Sequence, residues 1–109
     1  MSEKTIIGSS LICKRCRSLI LNVIDEDFFK DKKHKIIFNF LKNNQFENDE
    51  IDSLIVHIKT KISLQEIEKI KEDILTEENL IIVLKKEIEK REKEKKLKQI
   101  EEELRNESN

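Results

Sequence analysis

The sequence predicts an all-α protein: a compact bundle of about five short helices followed by a long, partly solvent-exposed, charged helix. Three observations carry that prediction. Apolar residues recur at helical spacing along nearly the whole chain, strand alternation occurs nowhere, and helix-capping signals divide the pattern into short segments. With 109 residues, 37% of them hydrophobic and 41% charged, a single domain must commit most of its Ile, Leu and Phe to the core to offset chain entropy.

Ile6, Ile7, Leu11 and Ile12 predict a first amphipathic helix, and Leu19, Ile20, Val23 and Ile24 repeat the same spacing in a second. Asp25, Glu26 and Asp27 form a polar turn before Phe28 and Phe29, after which Ile36, Ile37, Phe40 and Leu41 mark a third helix. Residues 43–50 have no clear stripe. Ile51, Leu54, Ile55, Ile58 and Ile62 read as a fourth stripe, expected to face the core. Leu64, Ile67, Ile70 and Ile74 form a fifth, opened by Ser63 with Glu66 three residues on, the pattern of a capping box. Thr76 before Glu77 and Glu78 starts the last helix, with carboxylates where the helix dipole favours them. The expected division is residues 1–76 as bundle and 77–109 as extended helix.

That last helix changes character along its length. Leu80 to Leu84 and Ile88 give its start a wide apolar face, whereas residues 89–96 contain no apolar side chain and so cannot be buried. Glu87 with Arg91, Glu89 with Lys93, Glu92 with Lys96 and Glu94 with Lys98 are spaced to support a helix standing in solvent, each pair worth about 0.2–0.5 kcal/mol. Leu97, Ile100 and Leu104 then restore a narrow seam. Leu84, Ile88, Leu97, Ile100 and Leu104 are the expected protein-binding residues, on an arm whose seam waits for a partner.

Most chemistry is excluded. Lys plus Arg number 22 against 23 Asp plus Glu, a net charge of −1, so no global field draws the chain to nucleic acid. Lys30, Lys32, Lys33 and Lys35 beside Phe28 and Phe29 come nearest to a stacking platform, and direct nucleic-acid binding is not expected. The single glycine, Gly8, cannot build a phosphate loop, no GxSxG elbow occurs, and the carboxylates are interleaved with Lys on helix faces. No catalytic group and no cofactor are expected. Cys13 and Cys16 form a CxxC without a preceding strand, and His34 and His57 do not complete a zinc set at ligand spacing, so no metal is expected either. Without a membrane span or a secretory leader, the expected location is the cytoplasm.

Residues 3–12, Glu-Lys-Thr-Ile-Ile-Gly-Ser-Ser-Leu-Ile, resemble the opening helix of the N-terminal domain of DnaB-type replicative helicases. Glu26-Asp27-Phe28-Phe29 followed by His34-Lys35-Ile36-Ile37-Phe38 resembles that family's acidic-aromatic turn and the H-x-x-I-F at the head of its next helix. Glu50-Ile51-Asp52 resembles its P-I-D helix start, with Glu in place of Pro. The first interhelical break is one residue shorter than the family pattern, and one extra residue separates Phe28 from His34. Residues 79–97 match more weakly the helix that follows the globular part. The resemblance implies that Gly8, Phe28, His34, Phe38 and Asp52 are motif residues of the core. Gly8, Ser9 and Ser10 would let another helix approach closely, and His34 would cap or pack.

The same fold recurs at the helicase-binding C-terminal end of DnaG-type primases. The resemblance therefore implies a non-catalytic interaction domain of the primosome. Its partner would be a replicative helicase or primase, and a homo-oligomer is possible. The competing readings are a helical or coiled-coil adaptor unrelated to replication and a small metal-dependent regulator using Cys13 and Cys16.

Overall fold

The computed structural model describes residues 2–107. Six α-helices occur in the order α1 Ser2–Ile12, α2 Lys14–Val23, α3 Lys32–Lys42, α4 Ser53–Thr60, α5 Leu64–Glu72 and α6 Glu77–Glu107, with a 3-10 turn at Glu26–Phe28 between α2 and α3. Among the described residues there is no strand.

The first helix is the axle of the bundle. Every residue from Thr5 to Leu11 is buried, and α1 packs on α2, α3, α5 and α6. The stripe of Ile6, Ile7 and Leu11 suggested an amphipathic helix, but the opposite face consists of Gly8, Ser9 and Ser10 and is covered as well. Small residues there allow close contact, and their hydroxyls are satisfied locally: Ser9 Oγ donates to the Thr5 carbonyl at 2.9 Å and Ser10 Oγ to that of Ile7 at 2.6 Å. Ser9 Oγ also accepts from the Leu75 N–H at 3.0 Å, fastening the α5–α6 connection. A Cβ on Gly8 would run into the carbonyl oxygen of Ile70 and lie 2.8 Å from that of Asp73.

Two helix starts follow caps read from sequence, Ser63 for α5 and Thr76 for α6, where Thr76 Oγ1 accepts from the Asn79 N–H at 3.3 Å; the other caps emerge from the structure. Asp25, Asp31, Asp52 and Ser63 each accept a backbone N–H at the start of the 3-10 turn, α3, α4 and α5 respectively. Glu66 makes only half of a capping box, since its carboxylate is engaged by Lys33 Nζ at 2.6 Å. Cys13 caps α2, its Sγ accepting from the Cys16 N–H at 3.1 Å.

The stripeless segment 43–50 is ordered from outside itself. Arg17 on α2 is buried, and its guanidinium donates to the carbonyls of Ser10, Asp49, Phe46 and Asn48 at 3.0, 3.1, 3.1 and 2.7 Å. The Ile51 N–H completes the attachment by donating to the Leu11 carbonyl at 2.8 Å.

The fourth stripe is where packing departs from expectation. Helix α4 buries Ser53, Val56 and Thr60, and turns Leu54, Ile55 and Ile58 outward at 52%, 43% and 62% exposure. Ile51 and Ile62 are buried, but from the segments flanking the helix. The short side chains let α4 lie close to α3 and α5, with the Thr60 hydroxyl donating to the Val56 carbonyl at 2.7 Å. Lys61 closes the helix in the left-handed conformation, φ 64°, a position that usually takes glycine.

In the last helix, Leu80 and Leu84 are buried while Val83 and Ile88 are half-buried against the core. From Glu92 to Arg105 every side chain is exposed.

Gly8→Ala tests the axle. Ala favours a helix over Gly by about 1 kcal/mol, but overpacking costs about 1–3 kcal/mol, and the atoms met here are backbone. Urea unfolding is expected to show a net loss of up to about 2 kcal/mol.

Candidate protein-interaction site

Helix α6 leaves the bundle at Arg91. The Arg91 guanidinium carbon stands 4.1 Å from the Phe28 ring centroid, and Nη1 donates to the Asp27 carbonyl at 3.4 Å. Phe28 meets Phe29 edge-on at 5.2 Å, and Phe29 in turn meets Phe38 at 5.2 Å. The cation–π contact is worth about 0.5–2 kcal/mol and connects the arm to the aromatic centre of the core. It fixes where the supported part of α6 ends.

Beyond that point lie Leu97, Ile100 and Leu104 at 60%, 52% and 59% exposure. A helix turns roughly 100° per residue. Ile100, sixteen residues after Leu84, therefore projects about 160° away from it around the axis, and Leu104 stands in the same relation to Ile88. The seam faces away from the side that α6 lays on its own bundle. This separates the five residues expected at the binding surface. Leu84, 2% exposed, belongs to the core, and Ile88 is half-buried against it, because both lie on the face turned to α1 and α2. Leu97, Ile100 and Leu104 are the ones a partner could reach. Glu89/Lys93, Glu92/Lys96 and Glu94/Lys98 do not close as ion pairs among the described residues, consistent with pairs worth only tenths of a kcal/mol each.

The motif residues lie in the bundle. Gly8, Phe28 and Phe38 are buried and Asp52 is the α4 cap, its carboxylate accepting from the Leu54 N–H at 2.9 Å. His34 packs edge-on to Phe29, with centroids 6.4 Å apart, and its Nδ1 lies 3.4 Å from Glu3 Oε1. The same carboxylate oxygen accepts from the Lys30 and Asp31 N–H groups at 2.9 and 3.2 Å. Burial pushes the Glu3 carboxyl up, but the Asp31 N–H, the His34 ring and the Lys30 N–H outweigh it and hold the carboxyl below its usual range.

Burial, then the hydrogen bond with Cys13, then negative charge at Cys13 and Glu77 push the Cys16 thiol up to about 12. Among the described residues no group of three His, Cys, Asp or Glu could hold a metal, and no helix is long and apolar enough to cross a membrane. Phe28 and Phe29 are both buried, so the basic run 30–35 has no exposed aromatic beside it.

Three features escaped sequence reading: the outward aliphatics of α4, Arg17 and Arg91. The two arginines had a signal. In a chain with 18 Lys and four Arg, an Arg singles out a position for inspection, and two of the four, Arg17 and Arg91, use the flat, forked cation in this way.

The fold and its exposed face define the class, a small all-helical domain that presents an apolar helix face beyond its own core. The sequence model of the DnaB-like helicase N-terminal domain matches residues 1–106. The chain belongs to that family and is a replication-helicase domain, which sets aside an adaptor unrelated to replication. Comparisons with curated proteins and with solved structures gave no match.

Two outcomes test this geometry. Because the folded Glu3 pKa is lowered, its stabilisation is complete above the ordinary value of about 4.3 and is lost as pH falls through the lower folded value. The melting-temperature gap between wild type and Glu3→Gln should therefore close on acidification from pH 6 to pH 2, and a constant gap would contradict the carboxylate's role. Separately, Cys16 should resist iodoacetamide in the native state at pH 8 and react on unfolding, as mass spectrometry would show.

Proposed function

We propose that this chain is a non-catalytic protein-interaction domain of the DNA replication primosome, mediating helicase–primase contact or assembly of the helicase ring. The observation that carries this reading is the seam of Leu97, Ile100 and Leu104, held out in solvent by a helix anchored at Arg91. Three large aliphatics on one face, beyond the reach of their own core, are the kind of surface that a partner covers. Family membership supplies the setting: a replicative helicase, a primase or another copy of the domain is the partner class, and the cytoplasm is the place. We assign no catalysis to the chain. A nucleotide needs a backbone cradle that one glycine, buried against the Ile70 and Asp73 carbonyls, does not provide. In this reading residues 1–76 form the bundle and 77–109 the arm that it presents, residues 1, 108 and 109 lying outside the described residues, with Leu80 and Leu84 as the attachment.

Replacing Leu97, Ile100 and Leu104 together by Lys separates stability from binding. Exposed substitutions usually change stability by less than about 0.5 kcal/mol, so the melting temperature should hold. Binding to the cognate helicase or primase, read by calorimetry, should weaken at least about tenfold, or roughly 1.4 kcal/mol. Unfolding of the variant would place the seam in the core, and unchanged binding would move the contact to the globular helices.

A further inference from the structure

We infer that the cleft between residues 46–53 and α5 is a docking site for an arginine of a partner protein, flanked in that partner by aliphatic residues that lie along α4. This is a second contact surface, and it stands on observations independent of the α6 seam.

The cleft has a volume of about 470 Å³ and lies where the segment held by Arg17 meets α4 and α5. Its walls carry four carboxylates, Glu47, Glu50, Asp52 and Glu68, against the one ammonium of Lys71. Glu47 is engaged by Lys14 at 2.9 Å and Asp52 caps α4, but Glu68 has no ion-pair partner among the described residues. Lys71 leaves the wall acidic. Its Nζ, on a side chain 7% exposed, donates to the Ile51 carbonyl at 2.5 Å and approaches only Glu50 among the carboxylates, at 3.5 Å. An adjoining cavity of about 430 Å³ shares Glu50, Glu68 and Lys71 and adds Glu72, one helical turn beyond Glu68. Lys69 projects further round α5 and lines neither cavity.

Ser53 distinguishes this cleft from a merely charged surface. It lines the cleft and is 7% exposed, and its Oγ is buried without a hydrogen-bond partner among the described residues. An unpaired buried hydroxyl is costly, and an N–H donor entering the cleft supplies what it lacks. The carboxylates do not converge on one point, since among the described residues no group of three could hold a metal ion. Acceptors spread around a cleft suit the five diverging donors of a guanidinium better than a point charge.

The surface beside the cleft defines the rest of the occupant. Ile55 belongs to both the cleft and the exposed face of α4, which Leu54 and Ile58 continue. A free small cation would leave these aliphatics in water, whereas a peptide segment covers them. Lys59 and Lys61, neither with an ion-pair partner among the described residues, stand at the far end of α4. They repel a second cation, so the partner's arginine is steered to the acidic end. The eight residues of α4 span about 12 Å, the reach of roughly four residues of extended chain.

Panning a phage-displayed random dodecapeptide library on the full chain tests this, with enriched peptides synthesised and their binding read by fluorescence polarisation. The enriched peptides should carry Arg within four residues of Leu, Ile or Phe. Glu50→Gln/Glu68→Gln and Ile55→Ser/Ile58→Ser should each weaken their binding at least tenfold, and Ser53→Ala at least threefold. Circular dichroism should show that all three variants melt no lower than wild type, because the altered groups are exposed or, at Ser53, unbonded. The Leu97/Ile100/Leu104 triple Lys variant should bind the peptides as wild type does. A library without enrichment, enriched peptides lacking a cation, loss of binding in the triple Lys variant, or unchanged binding in the acidic or the Ser53 variant would overturn the inference. If the cleft variants bind the peptides unchanged while the triple Lys variant loses helicase or primase, the cleft fails and the seam survives.

Discussion

The bundle depends on one close approach. Gly8, in the middle of a helix buried on every side, lies against the carbonyl oxygens of Ile70 and Asp73 with no room for a methyl group. That contact sets the distance between α1 and the end of α5. It also places the Leu75 N–H where the Ser9 hydroxyl can accept from it, and so fixes the point from which α6 departs. Small residues on one face and large aliphatics on the other let a single eleven-residue helix serve as packing partner to four others. A core built this way is intolerant of added volume, because interiors are close-packed and the atoms at the contact are backbone.

Two guanidinium groups solve the remaining problems of so small a domain. Arg17 is buried, which costs free energy for any cation and draws its pKa down, and the cost is offset by bonds to four backbone carbonyls. Three of those carbonyls belong to residues 46–49, a segment with little apolar surface of its own to hold it. Arg91 acts at the other end, stacking on Phe28 where the core runs out. Lysine, a point charge on a flexible stem, would satisfy neither geometry.

Large aliphatic side chains are thus used in two different ways. Ile6, Ile7 and Leu11 of α1, Ile37 and Leu41 of α3 and Ile67 and Ile70 of α5 close the core, whereas α4 and the outer half of α6 turn Leu54, Ile55, Ile58, Leu97, Ile100 and Leu104 to solvent. On α4 this follows from packing: Ser53, Val56 and Thr60 permit a close fit that Leu54, Ile55 and Ile58 would prevent. The fit has a cost, since the Ser53 hydroxyl is buried without a hydrogen-bond partner among the described residues. On α6 it follows from length, because the bundle is too short to accompany a helix of 31 residues.

Sequence alone determined the family, through its motifs, and the helical class, the number of helices and the Ser63 and Thr76 caps. These depend on local periodicity and on side-chain-to-backbone bonds spanning two or three residues, which a linear reading contains. Ile37 was legible as core from its stripe, and Phe28 and Phe38 through the family resemblance, whereas the burial of Phe29 was not read. Which face of a helix turns inward was decided only by tertiary structure. An apolar stripe reports amphipathicity but not what lies against it, so Leu54, Ile55 and Ile58 read as core and are surface, while Leu84 read as partner-facing and is buried. The roles of Arg17 and Arg91 were hidden for a related reason. The carbonyls of residues 46–49 lie about thirty positions from Arg17, the Phe28 ring about sixty from Arg91, and only the packing of α1 against its neighbours brings them within hydrogen-bond or stacking distance.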